Sequence, residues 1–235
     1  DGSRLSKRHG AVNLMSYRDA GFLPKALLNY IVRLGWSHGD QEIFSVDEMI
    51  KSFELKNINK SSASFNQEKL DWINQSYIKT SEINELVSEL KWHLNQLSID
   101  LNNGPDIKKV VEALRDRSKS LVDMAKNCVM FYHDFEDFDS DLAIKFFNLE
   151  SRPVLGDLLI NLETLDQWSA EHIHEVIQSI CESRNIGFGK VGQPLRLAIS
   201  GDGKAGSIDK SAQLVGKKRV LLRLKMATDW IDNLP

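Results

Sequence analysis

The sequence predicts a mainly α-helical protein. Apolar residues recur at the three- and four-residue spacing of an amphipathic helix in successive segments, for example at Leu27, Ile31 and Val32. Residues that cap helices, chiefly Ser, Asn and Asp, stand just before several of these segments. Only Leu195 to Ser200 resembles a short extended strand. We therefore expect an almost entirely helical architecture.

Start and stop signals place the individual helices. Pro24 suits the first turn of one helix, which Gly35 ends. Ser45 and Glu48 have the spacing of a capping box, and Asn66 is placed to cap the next helix. Further helices are predicted at about 82–97, 106–114, 121–132, 142–147, 154–165 and 170–183, the last capped by Ser169, with two more in the final segment.

The composition disfavours several classes of protein. The 235 residues are 42% apolar and 27% charged, as in an ordinary globular protein. No run approaches the roughly 20 apolar residues of a membrane span, so we expect no membrane partner. Cys128 and Cys181 lie far apart and outside any zinc-ligand spacing, which predicts no metal site, no disulfide framework and a cytoplasmic location. The chain begins with neither Met nor a signal peptide, and we expect a longer natural protein.

The net charge of −3 conceals two oppositely charged segments. Asp134 to Glu182 holds twelve acidic and two basic residues, whereas Arg184 to Lys225 holds ten basic and two acidic residues. Such a division suggests an anionic partner bound by one end of the molecule. The alternative is that the two segments neutralise each other inside the protein.

The N-terminal loop is rich in cationic side chains, namely Arg4, Lys7, Arg8 and His9. Glycines at positions 2 and 10 let the backbone bend around a group with concentrated negative charge, such as a triphosphate. A solvated basic loop without a ligand is the alternative.

Gly187 to Gly192 spells GxGxxG, the fingerprint of dinucleotide-binding proteins. That fingerprint needs a strand before it and a helix starting within it. Here a helix precedes, and Pro194 follows. We interpret the glycines as a tight connection between helical units, followed by the short extended segment.

The final segment has basic and polar residues that suit a surface following phosphates. They are Gln193, Arg196, Lys204, Lys210, Lys217, Lys218, Arg219 and Arg223. Apolar neighbours are expected to hold the helices down and leave these residues at the surface. A solvated helix face explains Lys217 and Lys218 equally well.

Four ordered segments together resemble one enzyme family. Arg4-Leu5-Ser6-Lys7-Arg8 resembles the KMSKS loop of class I aminoacyl-tRNA synthetases. GFLPKALLNYIVRLGWSHGD at 21–40, GKVGQPLRLAISG at 189–201 and LVGKKRVLLRL at 214–224 are similar to segments of the bacterial glutamyl-tRNA synthetases. The resemblance covers nearly the whole chain and implies the C-terminal half of such an enzyme, starting at the signature loop.

The resemblance implies a domain organisation and a function. Residues 1–80 would form the KMSKS loop and stem-contact domain, and 81–133 and 134–235 two subdomains of an all-helical anticodon-binding cage. The full enzyme would be a cytoplasmic, monomeric glutamate–tRNA ligase with tRNA(Glu), ATP and L-glutamate as partners. ATP with Mg²⁺ and glutamate would bind mainly to the missing N-terminal half, so the fragment would bind tRNA without catalysis.

The alternative is a non-catalytic RNA-binding adapter. A glutaminyl-tRNA synthetase fits less well, because that family recognises anticodons with β-barrels.

The resemblance also assigns site residues near the ATP. Lys7 would be catalytic, delivering an ammonium group to the departing pyrophosphate, and Ser6, Arg4 and Arg8 would help to bind ATP. Arg4 and Arg8 depart from the KMSKS letters but keep or add positive charge.

A second set of residues would contact the anticodon. By resemblance Arg117 inspects the third anticodon base, Gln193 and Arg196 contact anticodon nucleotides, and Ile208 packs against a splayed base. Ala205-Gly206 replaces the family's usual Ser/Thr-Pro pair in the loop before Ile208. For Arg117 the alternative is that it only caps the C-terminal end of its helix.

Overall fold

The computed structural model describes residues 13–59 and 64–234, and its regular elements in these ranges are helices. The predicted mainly α fold is confirmed. Besides two short 3₁₀ turns and one isolated bridge between Trp36 and Ile58, the structure contains thirteen helices in the described part of the chain. They are α1 Leu14–Asp19, α2 Pro24–Gly35, α3 Val46–Ser52, α4 Gln67–Thr80, α5 Ile83–Gln96, α6 Ile107–Leu114, α7 Leu121–Tyr132, α8 Ser140–Phe146, α9 Ser151–Glu163, α10 Ala170–Ser183, α11 Phe188–Ser200, α12 Ile208–Val215 and α13 Lys217–Asp232.

The described residues form two compact units. Unit 1 contains residues 13–59, 64–98 and 115–126, and unit 2 contains residues 99–114 and 127–234. These units are defined by packing, so the functional boundaries expected after residues 80 and 133 stay predictions. Within the described ranges, none of the helices is long and apolar enough to cross a lipid bilayer.

Side-chain caps begin several helices where the sequence predicts them. Ser45 Oγ accepts the Glu48 N–H at 3.2 Å, and Glu48 Oε2 accepts the Ser45 N–H at 2.7 Å, which completes the capping box of α3. Asn66 caps α4 by accepting the Lys69 N–H at 2.9 Å. Ser169 caps α10 in the same way. These hydrogen bonds satisfy N–H groups that a helix leaves open in its first turn.

Helix α11 corrects two expectations. The segment from Gly187 is not a tight connection followed by an extended segment, because a helix begins at Phe188 and runs through Pro194 to Ser200. This helix packs against α8, α9, α10, α12 and α13, so it is the central element of unit 2. Leu195 and the residues at 197–200 are buried, so this half of the helix lacks the exposed polar face by which a surface helix is predicted from sequence. Burial on most sides therefore overrides the unfavourable Gly and Pro signals.

A buried asparagine organises unit 1. Asn74 on α4 is fully buried, and its Oδ1 accepts the Leu23 N–H at 2.8 Å. Its Nδ2 donates to the Lys119 carbonyl at 2.8 Å. One amide thus joins the start of α2 to the segment that leads into α7, and this segment carries one of the predicted site residues.

Candidate nucleic-acid interface

The turn that follows α6 is anchored by Arg115. Its Nη2 donates to the Ser81 carbonyl at 2.6 Å and to the Ile78 carbonyl at 3.3 Å. Both carbonyls lie at the C-terminal end of α4, where backbone oxygens have no partner within the helix and a cation is favoured. Arg115, and not Arg117, is therefore the arginine of this turn that caps a helix.

Arg117 stands exposed between two anchored points. Arg115 holds the turn on one side, and Lys119 holds it on the other through its carbonyl bond to Asn74. The Arg117 side chain makes no hydrogen bond or ion pair with another residue of the described ranges and is exposed to solvent. The anchored turn thus presents an exposed guanidinium, whose five N–H donors have no acceptor among the described residues.

Gln193 and Arg196 lie one turn apart on α11. Arg196 Nη1 donates to Gln193 Oε1 at 3.4 Å, and Arg196 Nη2 lies 3.5 Å from the Gly206 carbonyl. Gln193 is exposed, whereas Arg196 is partly buried. The structure thus brings these two predicted residues together and connects them to the loop at 201–207.

The loop at 201–207, between α11 and α12, is held by its neighbours. Gly201 has a φ of 77°, which glycine adopts without strain, and its carbonyl accepts the Asp139 N–H at 2.8 Å. Ala205 and Gly206 are both buried. The loop that contains these two residues is therefore packed within unit 2.

Ile208 is the first residue of α12 and only 3% exposed. The structure therefore places its side chain in the interior of unit 2, so contact with a base would require the start of α12 to open. The next residue, Asp209, lies 3.3 Å from His174 Nδ1. Burial acts to raise the pKa of Asp209, but hydrogen bonds from Ser207 and the Lys210 N–H outweigh it and hold the pKa below its ordinary value. The proposed role of Ile208 stays a prediction.

One basic residue of the final segment is buried, contrary to expectation, and two partly buried ones donate to backbone carbonyls. Arg223 is 1% exposed, and Arg219 Nη1 donates to the Phe131 carbonyl at 2.8 Å. Lys217 Nζ donates to the Leu165 carbonyl at 2.8 Å. Arg223 follows Val220 by three residues and precedes Ala227 by four, so its helical spacing places it on the buried face of α13. That spacing is the sequence signal that identifies it as buried.

Two family models match the chain. Residues 85–228 match the family described as "Anticodon binding domain", which covers more than half of the sequence. The chain belongs to the anticodon-binding domain family. Residues 1–72 match a second model, "tRNA synthetases class I (E and Q), catalytic domain".

Relatives of this anticodon-binding family member include glutamate–tRNA ligases. The chain is 58% identical over 230 residues to that of Vesicomyosocius okutanii subsp. Calyptogena okutanii, with 98% of this chain and 50% of the relative covered. It is 48% identical over 233 residues to glutamate–tRNA ligase 1 of Nitrosococcus oceani, with 99% and 50% covered. The resemblance to the bacterial glutamyl-tRNA synthetases is confirmed, and the chain spans about half the length of the curated relatives it matches.

A solved structure shows the same fold. The crystal structure of a glutamate tRNA ligase from Elizabethkingia meningosepticum, in complex with its amino acid, superposes with a TM-score of 0.82 at 29% identity. The match covers 97% of this chain and 49% of that one.

Several opposite charges of this anticodon-binding family member pair within unit 2. Arg184 Nε lies 2.5 Å from Asp157 Oδ2, and Lys190 Nζ lies 3.3 Å from Glu150 Oε2. Arg219 and Arg223 share one acidic partner in the same unit, Asp134. Internal neutralisation therefore accounts for part of the charge division. Of the basic residues at 184–225, the exposed ones are Arg184, Lys190, Lys204, Lys210, Lys218 and Lys225, whereas Arg196, Lys217 and Arg219 are partly buried.

The residues predicted to bind ATP lie outside the described residues. Arg4, Ser6, Lys7 and Arg8 precede residue 13, so their roles stay predictions. Within residues 13–59 and 64–234, no group of three or more His, Cys, Asp or Glu side chains is arranged to hold a metal ion.

Proposed function

We propose that this chain is the tRNA-anticodon-binding part of a class I glutamate–tRNA ligase, which activates L-glutamate with ATP and attaches it to tRNA(Glu). The observation that carries the proposal is the exposed guanidinium of Arg117, held on an anchored turn inside the region that matches the anticodon-binding family. The 58% identity to a glutamate–tRNA ligase supports the choice of amino acid.

The chemistry of Arg117 suits the third anticodon base of tRNA(Glu), a cytosine. The pairing edge of cytosine offers a ring nitrogen and a carbonyl oxygen, and both accept hydrogen bonds from a guanidinium fork. Guanine, at this position in tRNA(Gln), presents donors on that edge, and these would face the donors of Arg117. An anticodon suits such recognition because its bases can be unstacked and bound along their edges. Gln193 and Arg196 would contact other anticodon nucleotides, and Ile208 a splayed base.

ATP would be engaged at the other end of the chain. Lys7 would deliver its ammonium group to the pyrophosphate oxygens, where negative charge accumulates as glutamyl-adenylate forms, and would thereby stabilise the transition state more than the bound substrate. Arg4, Ser6 and Arg8 would assist in binding the phosphates. Mg²⁺ would accompany ATP and neutralise part of its charge. We place the ligase in the cytoplasm as a monomer.

Two assays test this proposal, and the second separates it from a non-catalytic RNA-binding adapter. We expect the 235-residue chain to bind tRNA(Glu) but not to charge it, since the catalytic-domain match spans only residues 1–72. In the full-length ligase, Lys7→Ala is expected to slow glutamate activation by a barrier increase of about 3–4 kcal/mol with little change in tRNA affinity. Charging by the chain alone, or an unchanged activation rate in the Lys7→Ala ligase, would contradict the proposal.

A further inference from the structure

Arg223 on α13 is a buried cation with two backbone partners. Its Nη1 donates to the Ile199 carbonyl at 2.6 Å, and its Nη2 donates to the His133 carbonyl at 2.9 Å. Nη2 also lies 3.1 Å from Asp134 Oδ1, and the guanidinium carbon lies 4.8 Å from the centre of the Phe135 ring. Burying a charge is costly unless the charged group is well hydrogen-bonded. The planar guanidinium meets this requirement because it donates to several acceptors at once, which a lysine ammonium group would not do in the same geometry.

The two carbonyls belong to the ends of two helices. Ile199 lies in the last turn of α11, and His133 directly follows α7. Helix C-termini leave their last carbonyls without intrahelical partners and carry partial negative charge. Arg223 supplies donors and positive charge to both ends at once.

The same contacts surround the base of the loop at 201–207. Gly201 follows the last residue of α11, and a Cβ placed on it would lie 3.2 Å from the Phe135 ring. The Gly201 carbonyl also accepts the Asp139 N–H, which fixes the loop to the segment that begins at His133. Arg223 therefore holds both the α11 side of the loop and the segment packed behind it.

We propose that Arg223 is a positioning residue for anticodon recognition: it fixes the base of the loop at 201–207 and thereby holds Gly206 against Arg196. The inference rests on the proposed function, because Arg196 is expected to contact the anticodon. Lysine cannot replace Arg223, because one ammonium group cannot donate to the Ile199 and His133 carbonyls and also lie over the Phe135 ring.

Arg219 provides a matched control. It lies one turn before Arg223 on α13, donates to the Phe131 and Tyr132 carbonyls at 2.8 and 3.4 Å, and pairs with Asp134. These contacts lie at the end of α7 and do not include α11. Arg219→Lys should therefore weaken the same unit without releasing the loop.

The test compares Arg223→Lys and Arg219→Lys in the 235-residue chain. The readouts are the midpoint of thermal unfolding, hydrogen exchange of the amides at 201–207, and the Kd for tRNA(Glu) transcripts with a native or a replaced anticodon. We expect both variants to unfold at lower temperature. Only Arg223→Lys should speed exchange in the loop and raise the Kd for the native transcript about tenfold, with the Kd for the replaced anticodon unchanged.

Equal effects of the two variants, or an unchanged loop exchange and Kd in Arg223→Lys, would overturn the inference. If Arg223→Lys does not fold, Phe135→Leu removes the ring behind Gly201 and keeps the cation, and the same loop exchange and Kd changes are then required. If the unmodified chain shows no dependence on the anticodon, the proposed function fails, whereas the exchange data still test whether Arg223 fixes the loop.

Discussion

At the scale of single residues, three arginines show how neighbours decide the role of a side chain. Arg115 caps α4, Arg223 joins two helix ends, and Arg117 stays exposed. The family resemblance singles out Arg117, and the helical spacing of α13 indicates that Arg223 is buried. The acceptors of Arg115 and Arg223 lie far away in sequence, at positions 78–81, 133 and 199, so no local pattern predicts them.

Arg117→Gln is expected to narrow the preference for cytosine over guanine at the third anticodon position. A buried donor left without an acceptor costs about 1–3 kcal/mol. The parent chain should therefore bind the cytosine transcript roughly 10- to 100-fold more tightly than the guanine transcript, and the variant should show a much smaller ratio. The measurement is the ratio of Kd values for two tRNA(Glu) transcripts that differ only at that base.

Arg115→Gln, two residues away, tests whether the anchored turn positions Arg117. It should lower the free energy of unfolding by about 1–3 kcal/mol, because the carbonyls at the end of α4 lose a charged donor. The Kd ratio should also fall, but less than in Arg117→Gln, because the turn loses one of its two anchors while the guanidinium of Arg117 remains. If Arg117→Gln leaves the ratio unchanged, Arg117 does not recognise the base.

At the scale of elements, local signals predict most helix starts but not the helix at the centre of unit 2. Ser45, Asn66 and Ser169 cap the helices that the sequence assigns to them, since an N-cap acts through its own backbone neighbours. The glycines and Pro194 indicate a break in α11, yet packing on most sides keeps it helical. Tertiary burial, which a local pattern does not contain, decides that case.

Asn74→Ala tests the link between α2 and the turn that carries Arg117. The substitution leaves the Leu23 N–H and the Lys119 carbonyl without their partner in a fully buried position. We expect the free energy of unfolding to fall by about 3 kcal/mol, measured by urea denaturation. Ser45→Ala, which removes an exposed cap elsewhere in unit 1, is expected to cost only about 1 kcal/mol. Equal losses in the two variants would show that Asn74 is not a structural link.

At the scale of the whole molecule, the two charged segments serve two purposes. Part of the basic segment neutralises acidic residues of unit 2, as in the pairs of Arg184 with Asp157 and of Arg219 with Asp134. The exposed remainder is available to a polyanion. Composition alone leaves these two roles open, because it does not state which charges are buried.

Neutralising Lys204 and Lys210 together measures the share of the surface charge that contacts RNA. Both side chains are exposed, although Lys204 Nζ also lies 3.3 Å from Asp202. Each lost phosphate contact should reduce the slope of log affinity against log salt concentration by about 0.7–0.9. The same slope in the variant as in the parent chain would assign Lys204 and Lys210 to charge balance alone.

The proposed function requires the chain to recognise the anticodon of tRNA(Glu). Its most direct test is the Kd of the unmodified 235-residue chain for the isolated anticodon stem-loop RNA, compared with a stem-loop in which guanine replaces the third anticodon base. Since one mismatched base contact costs about 1–3 kcal/mol, we predict binding that is about tenfold or more tighter for the native stem-loop. Equal affinities for the two RNAs, or no binding to either while whole tRNA still binds, would contradict the account.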